Sequence, residues 1–423
     1  MSAADGAPAD DARHGNGDNH ADDADNSTDN STDHRPDNST DHRRHIGDGL
    51  PHIEVTGVDL VRVEMPLVRP FTTSFGRQTV REALLVRVRT ATSTGWGECV
   101  TPAAPVYSEE FTDGAALVLR DHLVPALLGQ GHRLSAGAVG PRLAHLRGHP
   151  MAKAALEVAV LDAQLRAAGT ALAQHLGAVR ERVPAGVSVG IPDGGIEELV
   201  HQVAGYLDEG YLRIKVKVQP GFDVAPLTRL REVFGDALPL QVDANAAYHA
   251  GDAAHLAALD GLDELGLELL EQPFGAARLR DHALHAPAWH TPICLDESIH
   301  DAADAADAIT MGACQVVNIK LGRVGGLSES LAIRDVCRAQ GVPVWCGGML
   351  ETGVGRAANV ALAACAGFDL PADTSASNRY WAQDLTEPFH LEDGHLTVPT
   401  GPGIGRTPRS EALEDAEVER LLG

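Results

Sequence analysis

Residues 211–221 read YLRIKVKVQPG, a run of β-branched residues interrupted by two lysines, Lys215 and Lys217, with only Val216 between them. In a strand, side chains two apart share a face, so both ammonium groups project one way while Ile214, Val216 and Val218 project the other. Charges seldom occupy a buried strand without a partner.

Similar apolar runs recur on both sides: VSVG (187–190), LPLQVDAN (238–245), LELLEQP (267–273), PICLDES (292–298), QVVNIKL (315–321) and PVWCGGM (343–349). Between them lie segments such as 196-IEELVHQVAGYLDEG-210 and 327-LSESLAIRDVCRAQG-341, whose apolar spacing predicts amphipathic helices. Strand, helix and two loops make a unit of about 25 residues. Seven such units predict an α/β fold with a closed (β/α)7β TIM-like barrel over residues 181–375. No glycine-rich fingerprint follows the first strand, which argues against a dinucleotide-binding sheet.

Residues 51–180 read differently. Segments 53–67 and 80–99 alternate like antiparallel strands, and 151-MAKAALEVAVLDAQLRAAG-169 reads as a helix, so an α+β capping domain is expected here. Residues 376–423 are expected to return to that domain, with 387–405 read as strand, turn and strand. The first fifty residues hold twelve Asp, four Arg and five His with few apolar side chains, and are expected to be a disordered acidic tail.

Thirty-four basic against fifty-nine acidic residues give a net charge of −25, which excludes a nucleic-acid partner held by a basic surface. No run approaches the ~18 apolar residues of a membrane span, and six scattered cysteines without a C-x-x-C pair suit a reduced, cytoplasmic protein.

Barrel strands carry their chemistry at their C-terminal ends. The apolar runs end there in Lys217, Asp243, Glu271, Asp296 and Lys320, at intervals of 26, 28, 25 and 24 residues, one unit each. Asp243, Glu271 and Asp296 form an oxygen-only ligand set suited to a hard cation, Mg²⁺ first, with Mn²⁺ or another divalent ion as alternatives. A lysine with the ordinary pKa of ~10.4 is a poor base, but a neighbouring like charge lowers it. Lys215 is expected to do this for Lys217, making Lys217 the base, with Lys320 addressing the reaction centre from the opposite face. A small anionic carboxylate is the substrate class such a rim favours.

These motifs (K-x-K, DAN, EQP, DES, NIK) resemble the muconate-lactonising branch of the enolase superfamily. Further matches, RPFTTSFG (69–76), GWGECV (95–100), GVSVG (186–190), WCGGMLETGVGRAANVALA (345–363) and DTSAS (373–377), resemble the o-succinylbenzoate synthase / N-acylamino acid (N-succinylamino acid) racemase family. The resemblance implies metal-dependent removal of a proton α to a carboxylate through an ene-diolate. The outcome is dehydration to o-succinylbenzoate in menaquinone biosynthesis, racemisation of N-acylamino acids, or both. It implies Asp243, Glu271 and Asp296 as metal ligands and Lys217 and Lys320 as the acid/base pair. It also implies Lys215, Asn245, Gln272, Glu297 and Arg323 as supporting groups, and a homo-oligomer. Leu321 departs from the proline many relatives carry after the second lysine. In this family the first domain closes over the barrel mouth, making Phe71, Phe75 and Tyr107 candidates for substrate binding, with Ser188, Gly347 and Gly348 on the barrel side. Alternatives are a dipeptide epimerase, a metal-free lyase using Lys217 as a Schiff-base nucleophile, and a binding protein without turnover.

Overall fold

The computed structural model describes residues 46–422. The expected tail falls outside the described residues except for 46–50, which form a turn, with Ile46 buried and Gly47 N donating to His175 Nε2 at 3.2 Å.

The cap begins with an antiparallel meander, β1 (Ile53–Thr73), β2 (Gly76–Thr90) and β3 (Thr94–Cys99); β4 (Arg133–Leu134) pairs with the start of β1. The alternation read at 53–67 buries Val61 and Met65, the partners of Leu85 and Arg81, on one side of the sheet, and a register shift between Val55 and Gly57 puts Val55 with Val58 and Leu60 on the other. β1 and β2 run on beyond the sheet as a hairpin, with pairs Phe71↔Gln78 and Thr73↔Gly76. Phe71 therefore lies on a strand extension of the cap sheet. The helix Pro150–Ala168 starts with proline in its first turn and ends at Gly169 in the left-handed region. It lies against β3 so closely that a Cβ on Gly95 or Gly97 would collide with the carbonyls of Ala159 and Ala155. The GWGEC run is a packing requirement before it is anything else.

β5 (Arg182–Pro184) leads into the barrel strands β6 (Gly186–Val189), β7 (Arg213–Lys217), β8 (Leu240–Asp243), β9 (Leu270–Glu271), β10 (Ile293–Leu295), β11 (Val316–Ile319) and β12 (Val344–Cys346). β6 to β12 are parallel and neighbour one another in chain order, each followed by a helix. Residues 368–372 close the ring, with parallel bridges from Phe368 to Val344 and from Ala372 to Ala185. The (β/α)7β barrel is complete.

β13 (His395–Thr397) pairs with β5, and β14 (Glu417–Leu422) adds to the free edge of β1. The segment 387–405 thus places its strand beside the barrel, and the strand that rejoins the cap sheet is 417–422. Ile404 N reaches the cap helix at Asp162 Oδ1, 2.7 Å away.

Two buried glutamates tie cap to barrel. Glu98 on β3 accepts from the backbone N–H groups of Thr352 and Gly355 at the start of the helix Gly353–Ala363. Glu157 on the cap helix accepts from Leu327 N at 2.6 Å and from the Ser328 hydroxyl at the start of Leu327–Ala339. Carboxylates satisfy the exposed N–H groups and the positive dipole of a helix N-terminus.

Candidate active site

The register of the parallel strands assembles the rim. Lys217 is the Cα partner of Asp243, and Asp243 of Glu271; Glu271 in turn pairs with Cys294 on β10, two residues before Asp296. Ligand oxygens of Asp243, Glu271 and Asp296 all lie within 4.8 Å of one another, and all three side chains are fully buried. Ile214 and Val216 face the other way, into the apolar layer under the helices.

Both lysines of the K-x-K strand point into the barrel. Lys217 Nζ donates to Asp243 Oδ2 at 2.5 Å and Asn245 Oδ1 at 2.9 Å. Lys215 Nζ lies 2.7 Å from Glu271 Oε2, 2.8 Å from Asp373 Oδ2 and 3.5 Å from Asp243 Oδ2, with its ammonium over the Trp345 ring. Burial would depress Lys215, but these three carboxylates outweigh it and hold it well above the ordinary lysine range. This revises the expectation from sequence: Lys215 is not a bare like charge acting on Lys217 but the centre of a compensated ion network. Across the site, Lys320 Nζ lies 2.7 Å from Asp296 Oδ2. Burial again acts downward, and Asp296 foremost raises Lys320 well above its usual value.

The acids respond to burial and to one another. Burial, then Asp243, pushes the Glu271 carboxyl up to about 7 despite Lys215. Burial would also raise Asp296, but Lys320 and Arg323 hold it below the usual carboxylate range. The Arg323 guanidinium bonds Asp296 Oδ1 and donates to Asn318 O at 2.6 Å and Ile299 O at 2.8 Å, so it fixes Asp296 rather than facing the cavity. Asn245 bridges Lys217 to Glu297, donating to Glu297 Oε1 at 3.0 Å. Gln272 accepts from Asp296 N and donates to Ser298 Oγ and Phe274 O, holding the loop after β10.

A cavity of about 480 Å³ lies above this rim, lined by Lys215, Lys217 and Lys320 from the barrel and by Phe71, Phe75 and Tyr107 from the cap. Ser74 Oγ donates to Asn245 O at 3.1 Å, pinning the hairpin to the rim. Phe75 packs edge-on to Tyr107 at 5.9 Å, and Phe71 edge-on to Tyr380 at 6.2 Å. The Tyr107 hydroxyl donates to Asp296 Oδ1 at 2.9 Å while its ring lies 4.6 Å from the Lys320 ammonium. Ser188 and Gly348 line the cavity, and the Ser188 hydroxyl is buried without a partner. Gly347 lies behind the wall: a Cβ there would strike Asn318 and approach Lys320 Cγ to 2.7 Å.

Two chain segments match known family descriptions. Residues 55–177 match the mandelate racemase / muconate lactonizing enzyme N-terminal domain, and residues 198–412 match the enolase C-terminal domain-like family. The chain belongs to the enolase superfamily. It is 57% identical over 369 residues to an N-succinylamino acid racemase from Amycolatopsis sp, covering 87% of this chain and 99% of that protein. It is 45% identical over 355 residues to an o-succinylbenzoate synthase from Geobacillus kaustophilus, covering 84% and 93%. A solved enolase-superfamily structure from Listeria innocua superposes with a TM-score of 0.82 at 38% identity, covering 88% of this chain and all of that one.

Enolase-superfamily enzymes bind a divalent metal, and the donor set here fits one. It offers oxygen alone, in three buried carboxylates that repel one another, and Asp296 Oδ2 has no hydrogen-bond donor beyond its ion pair with Lys320.

Two further groups touch the rim: Asn318, not singled out from sequence, and Asp373, which opens the DTSAS motif. Asn318 Nδ2 donates to Glu271 Oε1 at 2.7 Å. It stands two residues before Lys320 in the NIK motif, so strand alternation alone would have placed it on the same face. Asp373 follows the closing strand and joins Lys215 to Arg213, whose guanidinium lies 2.7 Å from Asp373 Oδ1. No helix of the described residues is long and apolar enough to cross a membrane.

Proposed function

We propose that this protein removes the proton α to a substrate carboxylate with Mg²⁺ as cofactor, acting as an o-succinylbenzoate synthase, an N-succinylamino acid racemase, or both. The observation that carries the reading is the placement of Lys217 and Lys320. Their ammonium groups enter one cavity from opposite flanks of a three-carboxylate cluster. Asp243, Glu271 and Asp296 would hold the cation, which would supply electrostatic stabilisation of negative charge on the substrate carboxylate.

The side chains divide the remaining work. Lys217, on β7, takes the proton from one face of the α-carbon. Lys320, one residue beyond β11, returns a proton to the other face in a racemisation, or stays protonated and faces the developing charge in a dehydration. Asn245 orients Lys217, Arg323 and Tyr107 orient Asp296, and the hairpin with Phe71 and Phe75 keeps water from the reacting carbon. The names of the relatives support both outcomes, and two lysines suit both.

A dipeptide epimerase would need a free acid by the closing strand to hold a substrate ammonium. Asp373 stands there, but both its oxygens are already paired, with Arg213 and Lys215. A Schiff-base lyase would need no cation, yet Lys217 stands beside a buried three-carboxylate cluster whose donor set fits one. The deciding test is to assay the purified protein with the cyclohexadiene precursor of o-succinylbenzoate and with N-succinyl and N-acetyl amino acids, with and without Mg²⁺. Turnover that survives EDTA, combined with borohydride trapping of substrate on Lys217, would overturn the proposal.

A further inference from the structure

Two cavities converge on Tyr107. The first is the mouth under the hairpin, with Arg77 at its edge and the three lysines at its base. The second, about 830 Å³, opens between the cap and the flank of the barrel, and Tyr107 is the one residue that lines both. Their charges are opposite. In the second cleft Glu110 and Glu157 are engaged at helix N-termini, and Arg323 is matched by Asp296. Glu329 likewise accepts from Ala302 N at the start of the helix Ala302–Thr310. Counted over each lining, five glutamates stand against Lys153 and Arg323 in the cleft, whereas Arg77, Arg81 and the three lysines stand against Glu351 and Asp373 at the mouth, so the cleft is acidic where the mouth is basic.

A second, independent feature marks the inner end of this cleft. Glu297 is 5% exposed, directly follows Asp296, and has one oxygen bonded to Asn245, while the other, Oε2, is buried with no partner. A dry carboxylate oxygen without a donor is costly unless a cation visits it.

We propose that the divalent cation reaches and leaves the three-acid site through this second cleft, relayed by Glu297 past Tyr107, while the carboxylate substrate uses the mouth. The proposal rests on the reading of Asp243, Glu271 and Asp296 as a metal site. A dication and an anionic substrate are each drawn along a path of opposite sign. Tyr107, hydrogen-bonded to Asp296, is the partition between the routes, so metal can exchange without the hairpin opening.

The test uses the full chain and Mn²⁺, with quenching of tryptophan fluorescence as the signal. Trp345 lies under the Lys215 ammonium that pairs with Glu271. An equilibrium titration comes first, and absence of a site there would defeat the metal reading itself rather than the route. Stopped-flow association at low ionic strength then compares variants. Glu109→Lys, at the exposed rim of the cleft, should slow association at least about threefold, and added salt should erase the difference. Arg77→Glu, at the rim of the mouth, should leave it unchanged. Gly140 lines the cleft with open space around it, so Gly140→Trp should plug the path and slow both Mn²⁺ uptake and EDTA-driven release without altering affinity. Glu297→Gln should keep the Asn245 contact and slow both rates. Rates that respond to Arg77→Glu but to none of the cleft variants would overturn the route.

Discussion

The Tyr107 hydroxyl, carried by the cap, donates to Asp296 Oδ1 at 2.9 Å, so one domain holds a ligand supplied by the other. Tyr107→Phe removes that bond and keeps the ring over Lys320. A hydrogen bond to a charged group is worth roughly 1.5–3 kcal/mol. The variant should lose about tenfold or more in kcat/KM with little change in Tm, as read by steady-state kinetics and thermal unfolding.

Removing either acid/base lysine should collapse racemisation by about 10²–10⁴-fold. Lys217→Ala and Lys320→Ala should also differ from each other. Each should still exchange the α-hydrogen of one enantiomer with solvent deuterium and fail with the other, which proton NMR resolves. Loss of exchange for both enantiomers in both variants would contradict the two-face arrangement.

The three acids should not be equivalent in the metal-free protein. Asp296→Asn strips the carboxylate that pairs with buried Lys320 and Arg323, and breaking such a network costs about 3–5 kcal/mol. Glu271→Gln should cost less than about 1 kcal/mol, since that carboxyl already titrates near 7 and Lys215 keeps Asp373. Both should abolish the stabilisation of about 2.7 kcal/mol expected for wild type at Mg²⁺ a hundredfold above Kd. Urea denaturation with and without metal separates the two effects.

Gly347→Ala should impair catalysis without unfolding the protein. The added methyl group would meet Asn318 and Lys320 Cγ, displacing the lysine and the amide that holds Glu271. Because apt placement within ~0.5 Å matters in such sites, a fall of about 10²-fold in kcat is expected.

Stability should carry a pH signature from Glu157. Burial pushes its carboxyl up to about 7 in the folded protein, against an ordinary value of 4.5. A raised acid favours folding in its protonated form, so its contribution is complete below pH 4.5 and is lost as pH rises through 7. Every tenfold gain in proton affinity on folding corresponds to about 1.4 kcal/mol. Glu157→Gln should flatten this slope between about pH 5 and 7 in EDTA, measured by urea denaturation.

The barrel was legible because its strands are apolar runs of near-constant spacing ending in charge; Asp243, Glu271 and Asp296 stood out as acids where burial forbids them. What sequence missed were contacts made across long separations. Asp373 meets Lys215 only because the chain closes a ring at residues 368–372, which alternation within one strand does not reveal. The charge state of Lys215 is hidden for the same reason: its neighbour in sequence is a lysine, but its neighbours in space are three carboxylates. The return of 417–422 to β1 is faint in the sequence because EVERLL is a short polar edge strand with weak patterning.

Glu98 and Glu157 have a consequence for anyone seeking to recombine these two domains. Each finishes a helix that the other half of the molecule builds, so a barrel produced without its cap would expose two bare amide ends and the apolar seam around them. Grafting this cap onto a foreign barrel would demand that the recipient offer helix starts at the same two places. Substrate range in such hybrids would thus be limited by mechanical fit at a seam remote from the chemistry.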